Sequence, residues 1–192
     1  MIIGLVGYKG SGKSTISRAA IGTSEGWEII SFAEPINKML VAFGVPEIVL
    51  RDKSRWDEPR EELCGQTIRH AAQTLGTEWG RKCINEKLWT NRGLTKAKEA
   101  NEHGWHSIIE NIRFPSEFEE LEAIGGITIA MYREKVAPVE NTYLHESERY
   151  ICSLRPLCAH KFYNELPFDQ SARLFAQLLQ EVLDLHNKSS IV

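Results

Sequence analysis

The densest run of residues able to do chemistry lies at Gly7-Tyr8-Lys9-Gly10-Ser11-Gly12-Lys13-Ser14-Thr15, which satisfies G-x-x-x-x-G-K-[ST] in full. Glycines at these places let successive backbone N–H groups turn inward around phosphate oxygens. A helix starting directly afterwards adds its positive end. In such a loop Lys13 reaches the β- and γ-phosphates, the Ser14 hydroxyl ligates Mg²⁺, and Thr15 sits near the α-phosphate. Gly10, Ser11, Gly12, Lys13, Ser14 and Thr15 are therefore the expected ATP-binding residues, with Lys13 catalytic and Ser14 the metal ligand. ATP and Mg²⁺ are the cofactors this pattern implies.

A phosphate loop does not by itself separate a switch protein, a motor and a kinase. The guanine-reading N-K-x-D of a GTPase is absent from the sequence. A small-molecule kinase needs a second anion site facing the γ-phosphate and a lid that keeps water out. Lys9, Lys38, Arg69 and Arg113 are the candidates for that second site, with Gln73 carried on the helix that Arg69 starts and Gly76-Thr77 expected to end it. A nucleoside monophosphate suits such a site as acceptor, because its phosphate, with a second pKa of about 6, needs no general base at neutral pH. The chain offers no Ser-His-Asp or Cys-His set, and its six histidines lack metal-ligand spacing.

These residues need a scaffold. Short apolar runs at Ile2–Val6, Trp27–Phe32, Trp105–Ile109, Ile127–Tyr132 and Leu157–Tyr163 read as strands. Helical patterns separate them. Ile36, Met39, Leu40 and Phe43 follow Pro35 and stop at Gly44; Ser116 and Glu119 form a capping-box pattern before Phe118, Leu121 and Ile124; Leu174 through Leu185 makes an amphipathic C-terminal helix. Strands alternating with helices mean a parallel sheet, its strand ends opening onto one crevice. The fold class expected is α/β: a three-layer α/β/α P-loop kinase fold with a five-stranded, mostly parallel sheet. Residues 1–192 read as one domain, with a helical substrate-binding region at 45–104 and a candidate mobile lid at 133–156.

Five segments resemble the bacteriophage-type deoxynucleoside monophosphate kinases of the P-loop nucleotide kinase superfamily. They are Gly7–Thr15; Phe32–Lys38; Arg69–Arg81 with Trp89; Asn111-Ile112-Arg113-Phe114-Pro115-Ser116-Glu117; and His145-Glu146-Ser147-Glu148. The resemblance implies transfer of the ATP γ-phosphoryl group to a deoxynucleoside 5′-monophosphate. It places the acceptor on Lys9, Ile36, Lys38, Arg69, Gly76, Thr77, Trp89, Arg113 and Glu117. Gln73 and Thr77 could read base edges, a cap being the other role for Thr77; Trp89 could stack on a base or bury in the core. Arg113 is the second catalytic candidate, and Arg133, Arg149 and Arg155 are lid candidates, Arg149, after His-Glu-Ser-Glu, preferred. The family usually has Asp where this chain has Asn111, which can hydrogen-bond sugar or water but brings no charge to Mg²⁺. Alternation along the strand points the neighbouring Glu110 the other way. The adenine-side turn, Asn164-Glu165-Leu166, also departs from the family pattern. A dephospho-coenzyme A or shikimate type kinase, and a non-catalytic ATP-binding module, stand as the alternatives.

Composition narrows the partners. The 192 residues carry 23 Lys+Arg against 26 Asp+Glu, a net of −3, where a dedicated nucleic-acid binder carries a basic excess. No apolar stretch approaches the roughly 20 residues that span a bilayer, and Met1–Val6 does not read as a signal peptide. Cys64, Cys83, Cys152 and Cys158 lack C-x-x-C spacing and read as reduced thiols. The expectation is a cytoplasmic protein (host cytoplasm if virus-encoded) acting on small molecules, without nucleic acid or membrane, a homodimer being left open.

Overall fold

The computed structural model describes residues 1–22, 26–136 and 146–189. In chain order the elements are β1 (Ile2–Val6), α1 (Lys13–Ile21), β2 (Trp27–Ile30), α2 (Glu34–Ala42), α3 (Glu47–Arg51), α4 (Ile68–Gln73) and a π-helical stretch (Thr74–Ile84). There follow α5 (Leu88–Glu102), β3 (His106–Ile112), α6 (Pro115–Ala123), β4 (Ile127–Tyr132), α7 (Glu146–Arg149), α8 (Ile151–Leu154), β5 (His160–Tyr163) and α9 (Phe168–Ser189). Two compact units result: Met1–Ile30 with Leu94–Val192, and Ser31–Gly93.

The first unit holds the sheet, in the order β2-β3-β1-β4-β5 with every pairing parallel. Central parallel strands are covered on both faces, which is why β1 is apolar throughout and all five of its residues are buried. Ile3 and Leu5 point to one face, packing with Ile16 and Ala20 of α1 and with Phe175, Leu179 and Val182 of α9. The ring of Phe175 meets Phe162 of β5 edge-on at 5.0 Å. Gly4 points to the other face. A Cβ there would lie 2.3 Å from Leu121 Cδ2 of α6, so α6 can approach the sheet this closely only over a glycine. Helices thus cover both faces, giving the expected three layers.

A register shift sits where β1 meets the end of β3: Gly4 pairs with Ile109, but Val6 pairs with Ile112. The extra residue on β3 is a bulge, and bulges re-aim the side chains that follow. Ile108 packs on the α1/α9 face, yet Ile112, an even number of residues later, lies on the Gly4 face. The bulge therefore falls at Glu110-Asn111, just before Arg113.

Several expected boundaries shift. β2 ends at Ile30, two residues before Phe32, and β3 runs on past Ile109 to Ile112. The strand expected from Leu157 begins only at His160, because Pro156 sits in a 3-10 turn, Arg155–Leu157, and cannot donate to a ladder. The capping box at Ser116 and Glu119 is also corrected. The helix starts at Pro115, and the acid that closes its first turn is Glu117, whose Oε2 accepts from the N–H groups of Arg113 (2.7 Å) and Phe114 (3.1 Å).

The second unit is helical; region 45–104 contributes no strand of the sheet. Pro35 lies in the first turn of α2, and Gly44, at φ 97°, lets the chain leave after it. Gly76-Thr77 does not end the helix that carries Arg69. α4 widens there into the π-helical stretch and runs to Ile84. Trp89 explains the change: its indole N–H donates to the Gly76 carbonyl at 2.8 Å, and a Cβ on Gly80 would lie 2.4 Å from its ring. The two glycines leave room for the indole, which reaches a carbonyl inside the widened stretch.

Candidate active site

The phosphate loop leaves β1 and closes onto the N-terminus of α1. Gly10 and Gly12 take φ values of 87° and 90°, a region that L side chains avoid. The loop is wedged against the sheet: a Cβ on Gly7 would come within 2.9 Å of the Met131 carbonyl on β4. A Cβ on Gly12 would come within 2.2 Å of Asn164 Nδ2. Asn164, directly after β5, is buried; its side-chain amide donates to the Ser11 carbonyl at 2.9 Å and its backbone N–H to the Tyr132 carbonyl at 2.8 Å. This residue therefore ties the loop to the sheet.

Lys13 is buried, and its Nζ donates to the carbonyls of Gly7 (2.5 Å) and Tyr8 (2.8 Å). The ammonium is held inside the loop rather than extended into solvent, while Ser14 is half-buried and Thr15 exposed. Positive φ at both glycines, the start of α1 and a confined ammonium form a donor set that fits a polyphosphate chain. Two further groups touch the loop. Arg133 donates to the Gly10 carbonyl at 3.3 Å. The Arg155 guanidinium lies over the ring of Tyr8 at 4.6 Å and that of Tyr132 at 4.5 Å, with Tyr163 stacked on Tyr132 at 5.1 Å. Burial pushes the Tyr8 phenol above its ordinary pKa.

At the end of β3, Glu110 turns towards α1, as strand alternation requires. Its carboxylate accepts from Ser17 Oγ (3.2 Å) and from Arg18 Nε (3.1 Å), and this bond holds the Arg18 guanidinium more firmly charged. Asn111 lies half-buried beside it. Beyond the bulge, Arg113 NH1 donates to Glu148 Oε1 at 2.7 Å, while Glu148 Oε2 accepts from the backbone N–H of Lys9 at 3.0 Å. One carboxylate therefore bridges the phosphate loop and Arg113. Arg149, on the same short helix as Glu148, is exposed. The rest of the candidate lid, 137–145 with His145, lies outside the described residues.

In the second unit Ile36 is buried on α2, and a Cβ on Gly76 would lie 3.1 Å from its Cδ1, so Ile36, Gly76 and Trp89 form one packed group. Trp89 is buried, with its ring 6.0 Å from Trp79. Lys38 pairs with Glu34 at 2.8 Å from a largely exposed position. Arg69 grips Asp57 with two bonds, 2.6 and 2.9 Å, and that carboxylate strengthens its positive charge. Gln73 is exposed and Thr77 half-buried. Reading the sequence missed Asn164 as the brace of the loop and Glu148 as the partner of Arg113. Glu148 stands in one of the quoted segments and Asn164 in the adenine-side turn, but neither segment says which distant residue its side chain meets.

No family model and no curated protein sequence matches the chain. Solved structures do. A shikimate kinase from Bacteroides thetaiotaomicron aligns over 96% of this chain and 98% of its own, with TM-score 0.51 and 16% identity. A shikimate kinase from Aquifex aeolicus aligns over 95% and 98%, with TM-score 0.52 and 13% identity. A dephospho-CoA kinase from Campylobacter jejuni aligns over 94% and 96%, with TM-score 0.52 and 15% identity. At these identities the likeness establishes the fold, that of the α/β P-loop kinases, and leaves the chemistry to the site.

Proposed function

We propose that the chain transfers the γ-phosphoryl group of ATP to a deoxynucleoside 5′-monophosphate. One observation carries the reading: the Lys9 N–H and the Arg113 guanidinium converge on a single anion directly beside the phosphate loop. Phosphoryl transfer between two phosphates needs two adjacent anion sites, and most of its catalysis is positioning and charge neutralisation. Lys13 neutralises charge building on the γ-phosphoryl oxygens. Arg113 holds the acceptor phosphate, preferably with two bonds.

When bound, Mg²⁺ supplies charge neutralisation across the phosphates, with the Ser14 hydroxyl as its protein ligand. Among the described residues no group of three or more His, Cys, Asp or Glu is arranged around a common metal position, and Ser14 is the one residue this reading would give to the ion. The acceptor residues of this reading are Lys9, Asn111, Arg113 and Glu117 in the first unit. The resemblance also gives Ile36, Lys38, Arg69, Gln73, Gly76, Thr77 and Trp89, all within the second unit, as acceptor candidates. Glu117 acts by fixing the backbone of Arg113 rather than by facing solvent. Arg133 and Arg149 are its lid arginines. Small molecules are its partners, and among the described residues no helix is long and apolar enough to cross a membrane.

Another small-molecule acceptor is the second reading, because shikimate and dephospho-CoA kinases are among the structures that share the fold. The test is ADP release from Mg-ATP with the four deoxynucleoside monophosphates, their ribose counterparts, shikimate and dephospho-CoA. Stimulation by a deoxynucleotide alone supports the first reading. Stimulation by shikimate or dephospho-CoA replaces it with the second. A flat panel with ATP bound points to a non-catalytic nucleotide-binding role.

A further inference from the structure

We infer that Glu148 is an internal competitor for the acceptor-phosphate site: its carboxylate occupies the Lys9 N–H and the Arg113 guanidinium, and a phosphate monoester binds by displacing it. The inference rests on the proposed kinase reading for the identity of the ligand, though not for the displacement itself.

The geometry is that of a carboxylate standing in for a phosphate. Each oxygen takes one donor, Oε1 the guanidinium at 2.7 Å and Oε2 the backbone N–H at 3.0 Å, and these are the donor types that hold phosphate oxygens. The pair is not a solvated surface contact. The Glu148 side chain is 12% exposed and that of Arg113 31%, so water screens their attraction less than it would at the surface. The position is also fixed from the C-terminal side. Ile151 and Leu154 of α8 are buried, and the Tyr150 ring lies 6.0 Å from Phe114, the neighbour of Arg113.

A phosphate monoester cannot simply join this arrangement. It would bring up to two negative charges against a third within hydrogen-bonding distance, and like charges at that range in a half-buried site repel strongly. Either the site does not take a phosphate, or Glu148 leaves. A dianion offers Arg113 and the Lys9 N–H more charge than one carboxylate does, so exchange is favourable only when a ligand arrives. Until then the cation beside the phosphate loop is neutralised by the chain itself. The apparent affinity for phosphate is accordingly lowered by the fraction of molecules in which Glu148 has let go.

The experiment measures inorganic phosphate binding, by calorimetry and by the amide resonance of Lys9, in the full chain and in Glu148→Gln, at one ionic strength. Glutamine keeps the shape and one acceptor oxygen but removes the charge. Glu148→Gln is expected to bind phosphate about tenfold more tightly, as for a site that the latch holds closed in about nine molecules of ten. The gain should vanish in Glu148→Gln/Arg113→Gln, and the Lys9 amide should shift with phosphate in the single variant. Glu148→Ala, with thermal unfolding followed in parallel, guards against a variant that misfolds. Unchanged or weaker binding in both folded Glu148 variants overturns the inference and makes Glu148 a support for Arg113. The two proposals fail separately. A flat acceptor panel with tighter phosphate binding removes the kinase reading alone, and a positive panel with unchanged phosphate binding removes the latch alone.

Discussion

Replacing Gly12 by alanine tests the account of how the phosphate loop is held. Two costs are written into the structure. Gly12 sits at φ 90°, where an L side chain meets the following carbonyl at a cost of about 1–2 kcal/mol. The new Cβ would also stand 2.2 Å from Asn164 Nδ2, a contact that cannot persist. Asn164 must swing away, and the buried Ser11 carbonyl loses its donor, which costs about 1–3 kcal/mol more. Gly12→Ala should therefore destabilise the protein by about 2–5 kcal/mol, the sum of those two ranges.

A double-mutant cycle separates the contributions. Asn164→Ala alone should cost about 1–3 kcal/mol, for the same orphaned carbonyl. In that background Gly12→Ala meets no amide and should cost only the backbone strain, about 1–2 kcal/mol. The two substitutions should thus be less than additive, by about 1–3 kcal/mol, well beyond the few tenths by which independent sites deviate. Urea unfolding followed by circular dichroism reads all four corners. Strict additivity, or a Gly12→Ala cost below about 0.5 kcal/mol, would show that Asn164 does not brace the loop.

Other outcomes follow from single residues. Lys13→Ala should lower turnover about a hundredfold or more, and because it also strips the buried Gly7 and Tyr8 carbonyls of their donor it should lower the thermal midpoint as well; near-normal turnover in the folded variant would remove Lys13 from charge neutralisation. Arg113→Ala should abolish transfer while ATP binding, measured by equilibrium titration, changes little. Burial pushes the Cys158 thiol up to about 11, so a thiol reagent at pH 8 should modify Cys64, Cys83 and Cys152 and leave Cys158 until the protein unfolds. Because the folded state resists forming that thiolate, the Cys158 contribution to stability is intact below its ordinary value of 9.0 and is lost as pH rises towards about 11, which urea midpoints across that window would show. Phe175→Ala should cost about 3–5 kcal/mol in the same assay, since its fully buried ring fills the space between β5, α1 and α9.

How legible this molecule was depends on whether a feature is local in the chain. The five strands and the C-terminal helix were visible because burial imposes a period on neighbouring residues, as at Ile2–Val6 and along α9, whereas α5 was legible only as part of a helical region. The phosphate loop was visible for the same reason: its glycines and Lys13 must follow one another closely. Boundaries were less so. Ser116 and Glu119 had the right spacing for a cap, but Pro115 already fits the first turn of a helix, and Glu117 was in reach of the exposed N–H groups. The π-helical stretch was invisible, since it depends on Trp89, 13 residues beyond the carbonyl it claims.

The site shows the same division at its sharpest. The types of the charged residues could be read, and Lys9, Lys13 and Arg113 were named from them, but their partners could not. Glu148 is 35 residues from Arg113 and 139 from Lys9, and Asn164 is 153 from Ser11. A cation in sequence carries no sign of whether it awaits a ligand or is already neutralised by the chain. That difference controls affinity. Arg113 with solvent around it would bind any passing phosphate, whereas Arg113 holding Glu148 exchanges a resident anion for an incoming one and so favours ligands with more charge than a carboxylate. Selectivity for a dianionic phosphate over a monoanionic carboxylate can thus be set by an acid that need not touch the bound ligand.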